Sequence, residues 1–215
     1  MLALELIELY NAQSQGSQAV ALGRAYASGA DSFAAAIANN TSSYGATGQE
    51  SVAIGKQAKA TALQSASLGG FGNISSGSYS VTAGSVNTAS ATRSIAIGGH
   101  VNVASGIYSA TLGGIGNTAS GAFSRAGGYF ADTQNISGKD AYASYSFSAD
   151  GDQQRASLVL FCDTTDATPE ALRSYTGVAS TDNQVILPNN SAYFFSGTII
   201  AREQASAGTD VGAWE

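Results

Sequence analysis

Proline is almost missing, with 2 residues in 215 against 26 glycines. Scarce Pro, and Gly that does not fall at every third position, exclude a collagen triple helix. Charge is also scarce, at 11% against roughly 25% in an ordinary globular domain. Leu, Ile, Val and Phe make up about a fifth of the chain, and much of the 44% hydrophobic fraction is alanine. Few large apolar groups with high charge would mark disorder, but here charge is low as well. One cysteine, Cys162, excludes an intrachain disulfide. It ends the apolar run 158–162 and reads as a small buried hydrophobe rather than a reactive thiol. No run approaches 18 apolar residues, so no helical membrane span is expected. The start, Met1-Leu2-Ala3-Leu4-Glu5, lacks the basic region of a secretory signal. A net charge of −6 without a basic cluster argues against a nucleic-acid partner. What is present is a chain of small residues, and such chains gain order by repetition.

Composition divides the chain. Residues 1–131 carry a net charge of +1 and 20 glycines; residues 132–215 carry −7, 6 glycines and both prolines, Pro169 and Pro188. Four segments are expected: a lead-in over 1–17, a repeat domain over 18–131, a polar junction over 132–154 and a β-rich domain over 155–215. In the lead-in, Leu2, Leu6 and Leu9 have helical spacing, which fits a short helix or a lead-in strand.

The repeat is a small residue, then Ile or Leu, then Gly. It occurs as Ala21-Leu22-Gly23, Ala36-Ile37-Ala38, Ala53-Ile54-Gly55, Ser67-Leu68-Gly69, Thr82-Ala83-Gly84, Ala96-Ile97-Gly98 and Thr111-Leu112-Gly113, with a degenerate eighth copy ending at Gly127. A spacing of about 14–15 residues is too short for a helix plus a strand. It fits one coil of two short strands and two tight turns, with parallel coils about 4.8 Å apart. The alternation predicts that Leu22, Ile37, Ile54, Leu68, Ala83, Ile97 and Leu112 line the interior, with Ala, Ser or Thr outside. Gly then turns the chain at φ > 0. The second strands read as Ala58-Lys59-Ala60, Asn87-Thr88-Ala89 and Asn117-Thr118-Ala119. Ser32, Ser65, Ser80, Ser94, Ser109 and Ser124 precede new coils, where a corner hydroxyl can bond the next coil's backbone. The coil at 33–50 is long, so a bulge or looped-out 39–48 is expected. So thin an interior buries little apolar area per chain. The small-residue outer face is therefore expected to pack against copies of itself, as a homotrimer.

Chemistry-bearing motifs have plain readings. Gly69-Gly70-Phe71-Gly72-Asn73 and Gly113-Gly114-Ile115-Gly116-Asn117 resemble phosphate loops but lack the following Lys-Ser/Thr. Gly98-Gly99-His100-Val101-Asn102 has the same phase, so all three are turns, and His100 is an exposed turn residue. Asp150-Gly151-Asp152 and Asp163 with Asp166 lack the further acids of a calcium loop and read as solvated. Catalytic, cofactor-binding and metal-binding residues are therefore expected to be none. Tyr79, Arg93, Tyr108 and Phe123 share one phase, immediately before the coil serine. They form a candidate receptor-contact stripe, or else pack over the corner or a subunit interface.

Glu50-Ser51-Val52-Ala53-Ile54-Gly55 and Arg93-Ser94-Ile95-Ala96-Ile97-Gly98 resemble the Ser-Val-Ala-Ile-Gly repeats of trimeric autotransporter adhesin heads, which also occur in bacteriophage tail fibres. That resemblance covers about 18–131 and implies a left-handed parallel β-roll, three chains side by side. Residues 164–169, 181–193 and 197–202 are similar to a β-rich, sandwich-like domain of phage tail fibre proteins. Strands are expected there at 155–162, 183–187 and 192–202, the last two joined by a turn at 188–191. In that family the chain continues past Ala213-Trp214-Glu215, so this chain reads as a fragment whose last strand lacks its partner. The resemblance implies an extracellular virion protein. Its role would be non-enzymatic and structural, attaching to host-surface glycan or protein beside other fibre proteins, without nucleic acid, membrane insertion or cofactor. The alternatives are the head of a bacterial surface adhesin and a polysaccharide-degrading tailspike. A tailspike would need clustered acids on the roll, which holds almost none.

Overall fold

The computed structural model describes residues 12–36, 43–164, 166, 168–187, 192–202 and 211–214. The expected helix or strand at 1–10, the interior place of Ile37 and the turn at 188–191 lie outside them. The chain forms two compact units, Met1–Val185 and Ile186–Glu215. Among the described residues all regular structure is β, in a solenoid of about eight turns.

Each turn supplies one longer and one shorter strand. The longer strands are Val20–Gly23, Phe33–Ala36, Val52–Lys56, Ala66–Phe71, Val81–Ser85, Ile95–His100, Ala110–Leu112 and Arg125–Gly128. They stack in parallel, in chain order, in one sheet. Asp140–Ala143 adds a further parallel strand beyond residue 131, and Gln154–Ser157 closes that edge antiparallel. The shorter strands form the opposite sheet, from Gln13–Ser14 through Lys59–Ala60 and Thr88–Ala89 to Thr118–Ala119.

The alternation is as expected, but its sense is reversed. Ala21, Ala34, Ala53, Ser67, Thr82, Ala96, Thr111 and Ala126 are the buried residues. Leu22 (41% exposed), Ile54, Leu68, Ile97 and Leu112 (61%) face outward. The cause is steric. A coil this short brings its two strands too close for opposed Leu or Ile side chains, so only Ala, Ser, Thr and Asn fit between them. Ala83, expected inside with them, is half-buried, with Thr82 taking the interior.

Two register expectations also change. Ala21-Leu22-Gly23 pairs with Ala34-Ala35-Ala36, not with Ala36-Ile37-Ala38. Of the long loop expected at 39–48, Gly45–Ala46 is a strand of the short sheet. In the last repeat the left-handed glycine is Gly128 (φ +96°), one residue beyond Gly127.

The corner serines are buried. Their hydroxyls, however, mostly donate within their own turn: Ser51, Ser65, Ser94 and Ser124 to the carbonyls of Gly48, Ala62, Ala91 and Gly121 at 2.6–2.8 Å. Coil-to-coil polar contact comes instead from asparagine. Asn73, Asn87, Asn102 and Asn117 are fully buried. The Asn73, Asn87 and Asn102 side-chain carbonyls each accept the backbone N–H of the next Asn, and Asn117 accepts from Ala131, at 2.8–3.0 Å. Each side-chain NH₂ donates to one carbonyl of its own coil and one of the next. This satisfies the asparagine side chains in an interior that apolar packing leaves underfilled, although the Ser80, Ser109 and Thr111 hydroxyls are buried without a partner.

The far end of the solenoid has larger interior groups. Lys139 stands in the phase of Ser124 and is buried beside buried Ile136. Its ammonium donates to Gln134 Oε1 at 2.6 Å. Burial pulls its pKa down to about 8, partly opposed by Asp132. Ser174, Tyr175 and Asp182 lie on this end, held by Ser137 N–H to Asp182 O (2.8 Å) and Asn135 Nδ2 to Asp182 Oδ1 (2.7 Å). The strand expected at 155–162 is only Gln154–Ser157, with an isolated bridge from Phe161 to Arg173. Residues 183–187 form no strand; Asn183 instead caps a turn through Ser180. Cys162 is half-buried and free.

Within Ile186–Glu215, Ile199–Arg202 pairs antiparallel with Val211–Trp214. The terminal strand, expected to lack a partner, has one.

Candidate functional site

One corner of every coil places a single residue in the left-handed region. Gln18, Asp31, Glu50, Gln64, Tyr79, Arg93, Tyr108 and Phe123 have φ between +51° and +62°. From Asp31 onward each precedes a coil serine, with Ser32, Ser51, Ser65, Ser80, Ser94, Ser109 and Ser124 following in turn. The backbone N–H of each rung reaches back to the preceding coil: Tyr79 to Leu63 O, Arg93 to Ser78 O, Tyr108 to Thr92 O and Phe123 to Ile107 O, at 2.8–3.1 Å. Non-glycine residues held this way each cost about 1–3 kcal/mol. The coil-to-coil hydrogen bond and the buried serine that follows maintain the conformation. The result is a column of side chains projecting from one edge, one per coil.

The column has two chemistries. Gln18, Asp31, Glu50 and Gln64 are polar, and the Gln64 amide donates to the Glu50 carboxylate. Tyr79, Arg93, Tyr108 and Phe123 are aromatic and cationic, and the structure brings all four into contact in order. The Arg93 guanidinium lies 5.2 Å from both the Tyr79 and the Tyr108 ring centroids. Its Nη1 donates to the Tyr108 hydroxyl at 2.7 Å. Tyr108 and Phe123 stack at 5.1 Å and 8°. Gly138 (φ +71°) takes the next rung without a side chain, with Ser174 O 3.7 Å from where its Cβ would stand. Tyr175 fills that place, its ring 5.4 Å from Phe123. Tyr175 was not legible as a rung, because it comes from a different part of the chain.

Stacking along the solenoid axis turns the ring faces toward one another and the ring edges toward solvent. Tyr79, Tyr108 and Phe123 are each nearly half exposed. Aromatic edges carry the positive end of the ring quadrupole. Among the described residues the only ion pair is Arg125 with Asp140, at 2.7 Å, so Arg93 faces solvent with its charge uncompensated by a carboxylate.

Other candidates are drawn into local structure. His100 is exposed and its Nδ1 lies 3.2 Å from Ser85 Oγ. The Asp152 carboxylate accepts the backbone N–H groups of Phe147, Ser148 and Ala149 at 2.6–3.0 Å, which holds its pKa below the usual range. Asp150 is pushed up by desolvation, then by Asp132 and Asp152. Asp166 accepts from the Thr168 N–H at 2.7 Å. No group of three or more metal-ligating side chains occurs among the described residues. No described helix is long and apolar enough to cross a membrane.

Comparison with family models, with curated proteins and with solved structures returns no match.

Proposed function

We propose that this chain is a structural attachment protein: a trimeric segment of a bacteriophage tail fibre that binds a host surface by repeated, non-catalytic contacts. The observation that carries the reading is the sorting of side chains in the solenoid. Small polar and Ala residues are buried, while Leu22, Ile54, Leu68, Ile97 and Leu112 stand in an exposed row on one flat sheet face. An apolar face of that regularity is unusual on a monomer, and a partner with the same coil spacing would match it rung for rung. Three left-handed rolls packed through this face, each followed by a sandwich-like domain near residues 155–215, form the assembly we infer. The aromatic–arginine column at the other edge of the coil then serves as the receptor contact. Three copies on a rigid rod raise effective concentration, so individually weak contacts suffice.

Sedimentation equilibrium combined with adhesion of the labelled chain to a panel of bacterial cells tests this reading. The expected result is a species of three 21.6 kDa chains that adheres to some strains and releases no reducing ends from their surface polysaccharide. A monomeric species, absence of adhesion to every strain, or release of reducing ends would overturn it.

A further inference from the structure

The ligand class of the aromatic–arginine column follows from its electrostatics, an inference that rests on the attachment reading above. Neutral sugars are commonly held by stacking on aromatic faces, but the inner faces of this column are already occupied. Tyr108 faces Phe123, Phe123 faces Tyr175, and Arg93 lies between Tyr79 and Tyr108. The outward groups are ring edges, hydroxyls and a guanidinium. All are electropositive or hydrogen-bond donating.

Arg93 is fixed rather than free to wander. Two rings flank it, and one of its five N–H donors is spent on Tyr108. Because the Tyr108 oxygen accepts that bond, its own O–H proton is left to donate outward. A planar fork beside a hydroxyl donor matches a carboxylate that carries neighbouring hydroxyls. The surrounding charge has the same sign. Residues 51–131 contain Lys56, Lys59, Arg93 and Arg125 but no Asp or Glu, in a chain of net charge −6. Arg125 is neutralised by Asp140 and Lys56 lies over the Phe71 ring, 5.4 Å from its centroid.

We propose that Arg93 and the Tyr108 hydroxyl form an anion-selective contact for a carboxylated polysaccharide, with the ring edges of Tyr79 and Phe123 beside it. The hydroxyls beside each carboxylate distinguish such a polymer from polyphosphate, which offers anionic oxygens alone.

The test is binding of the full chain to immobilised polygalacturonate, to the same polymer after carboxyl reduction, and to polyphosphate. Native protein is expected to retain polygalacturonate and neither of the others. Arg93→Gln should weaken binding by at least roughly tenfold, and Arg93→Lys should be intermediate because it keeps charge but loses the fork. Tyr108→Phe keeps the stacked ring and removes only the hydroxyl, so it reports on the site where Arg93→Gln perturbs folding; it should bind several-fold more weakly at an unchanged melting temperature. No retention on polygalacturonate, equal retention on the reduced polymer or on polyphosphate, or unchanged binding by both Arg93→Gln and Tyr108→Phe would overturn the proposal. The attachment reading fails separately: a chain that binds polygalacturonate but adheres to no cell retains this contact and loses that role.

Discussion

At the scale of single residues, the interior is held by fitted polar groups more than by apolar volume. Asn102 shows the dependence. Its side-chain oxygen receives the Asn117 N–H at 3.0 Å, and its NH₂ donates to Gly98 O and Gly114 O at 3.0 and 3.1 Å. Asn102→Ala orphans the buried Asn117 N–H, leaves a void in the lumen and takes one of two donors from each carbonyl, Gly98 O keeping Asn87 Nδ2 and Gly114 O keeping the His100 N–H. A loss of about 3 kcal/mol in urea unfolding is expected; a loss under about 1 kcal/mol would mean that the asparagine ladder is incidental. Two glycines separate conformational from steric demand. Gly113 has φ +75° with nothing within 4 Å of an added Cβ, whereas at Gly106 that Cβ would meet Gly121 O at 2.0 Å. Gly113→Ala should therefore cost only about 1–2 kcal/mol of left-handed strain. Gly106→Ala pushes adjacent coils apart and should lower the melting temperature far more, and paired thermal scans of the two variants check the order.

At the scale of elements, the end of the solenoid carries a pH dependence through Lys139. Lys139 sits where the other coils have serine, and its folded pKa of about 8 lies below the ordinary lysine value of 10.5. Between those values the unfolded chain binds a proton that the folded chain does not, so stability rises with pH there. Below about pH 8 both states are protonated and the folded state bears the full cost of the buried charge. The melting temperature should climb from pH 8 toward 10.5, and Lys139→Met should flatten that climb; parallel slopes for the two proteins would refute the assignment. The same elements mark what was legible in the sequence. The coil period, the second strands, the corner serines and the shared phase of Tyr79, Arg93, Tyr108 and Phe123 follow from residue types at fixed spacing. Hydrophobicity alone gives the wrong inside–outside sense, because size decides which side chain the lumen admits. The position that never exceeds Thr (Ala53, Ser67, Thr82, Ala96, Thr111) carries the tighter limit and is the interior, whereas its neighbour ranges from Ala83 to Leu112. The asparagines are also readable, four residues after Gly69, Gly98 and Gly113, but a place at the end of a turn or the start of a second strand does not by itself give a buried ladder. Tyr175 and Lys139 were not readable, since the repeat gives no register for a segment that folds back or for a cap that breaks the pattern.

At the scale of the whole molecule, the scarcity of large apolar residues in the repeat follows from its lumen: the repeating coils bury only small or short polar side chains, and Leu22, Ile54, Leu68, Ile97 and Leu112 stand on one outer sheet face. Ile97 is 40% exposed while its neighbour Ala96 is fully buried, so substitutions at the two positions separate assembly from coil formation. Ala96→Leu overfills the lumen and should prevent the coil from closing, giving a chain without native β-structure by circular dichroism. Ile97→Lys leaves the lumen untouched but places an ammonium on the face that we propose is shared between chains. Burying it three times over in one assembly is far costlier than exposing it on separate chains. Ile97→Lys should therefore sediment as a single 21.6 kDa chain, or as a weakened trimer that dissociates on dilution, with a lower melting temperature than the parent. Lys59 provides the control: on the short-strand sheet a cation is already tolerated, so Thr88→Lys, which lies two strands away in the same phase of that sheet, should leave the mass in solution unchanged. Equal masses for Ile97→Lys and the parent would place the subunit interface on another face of the solenoid.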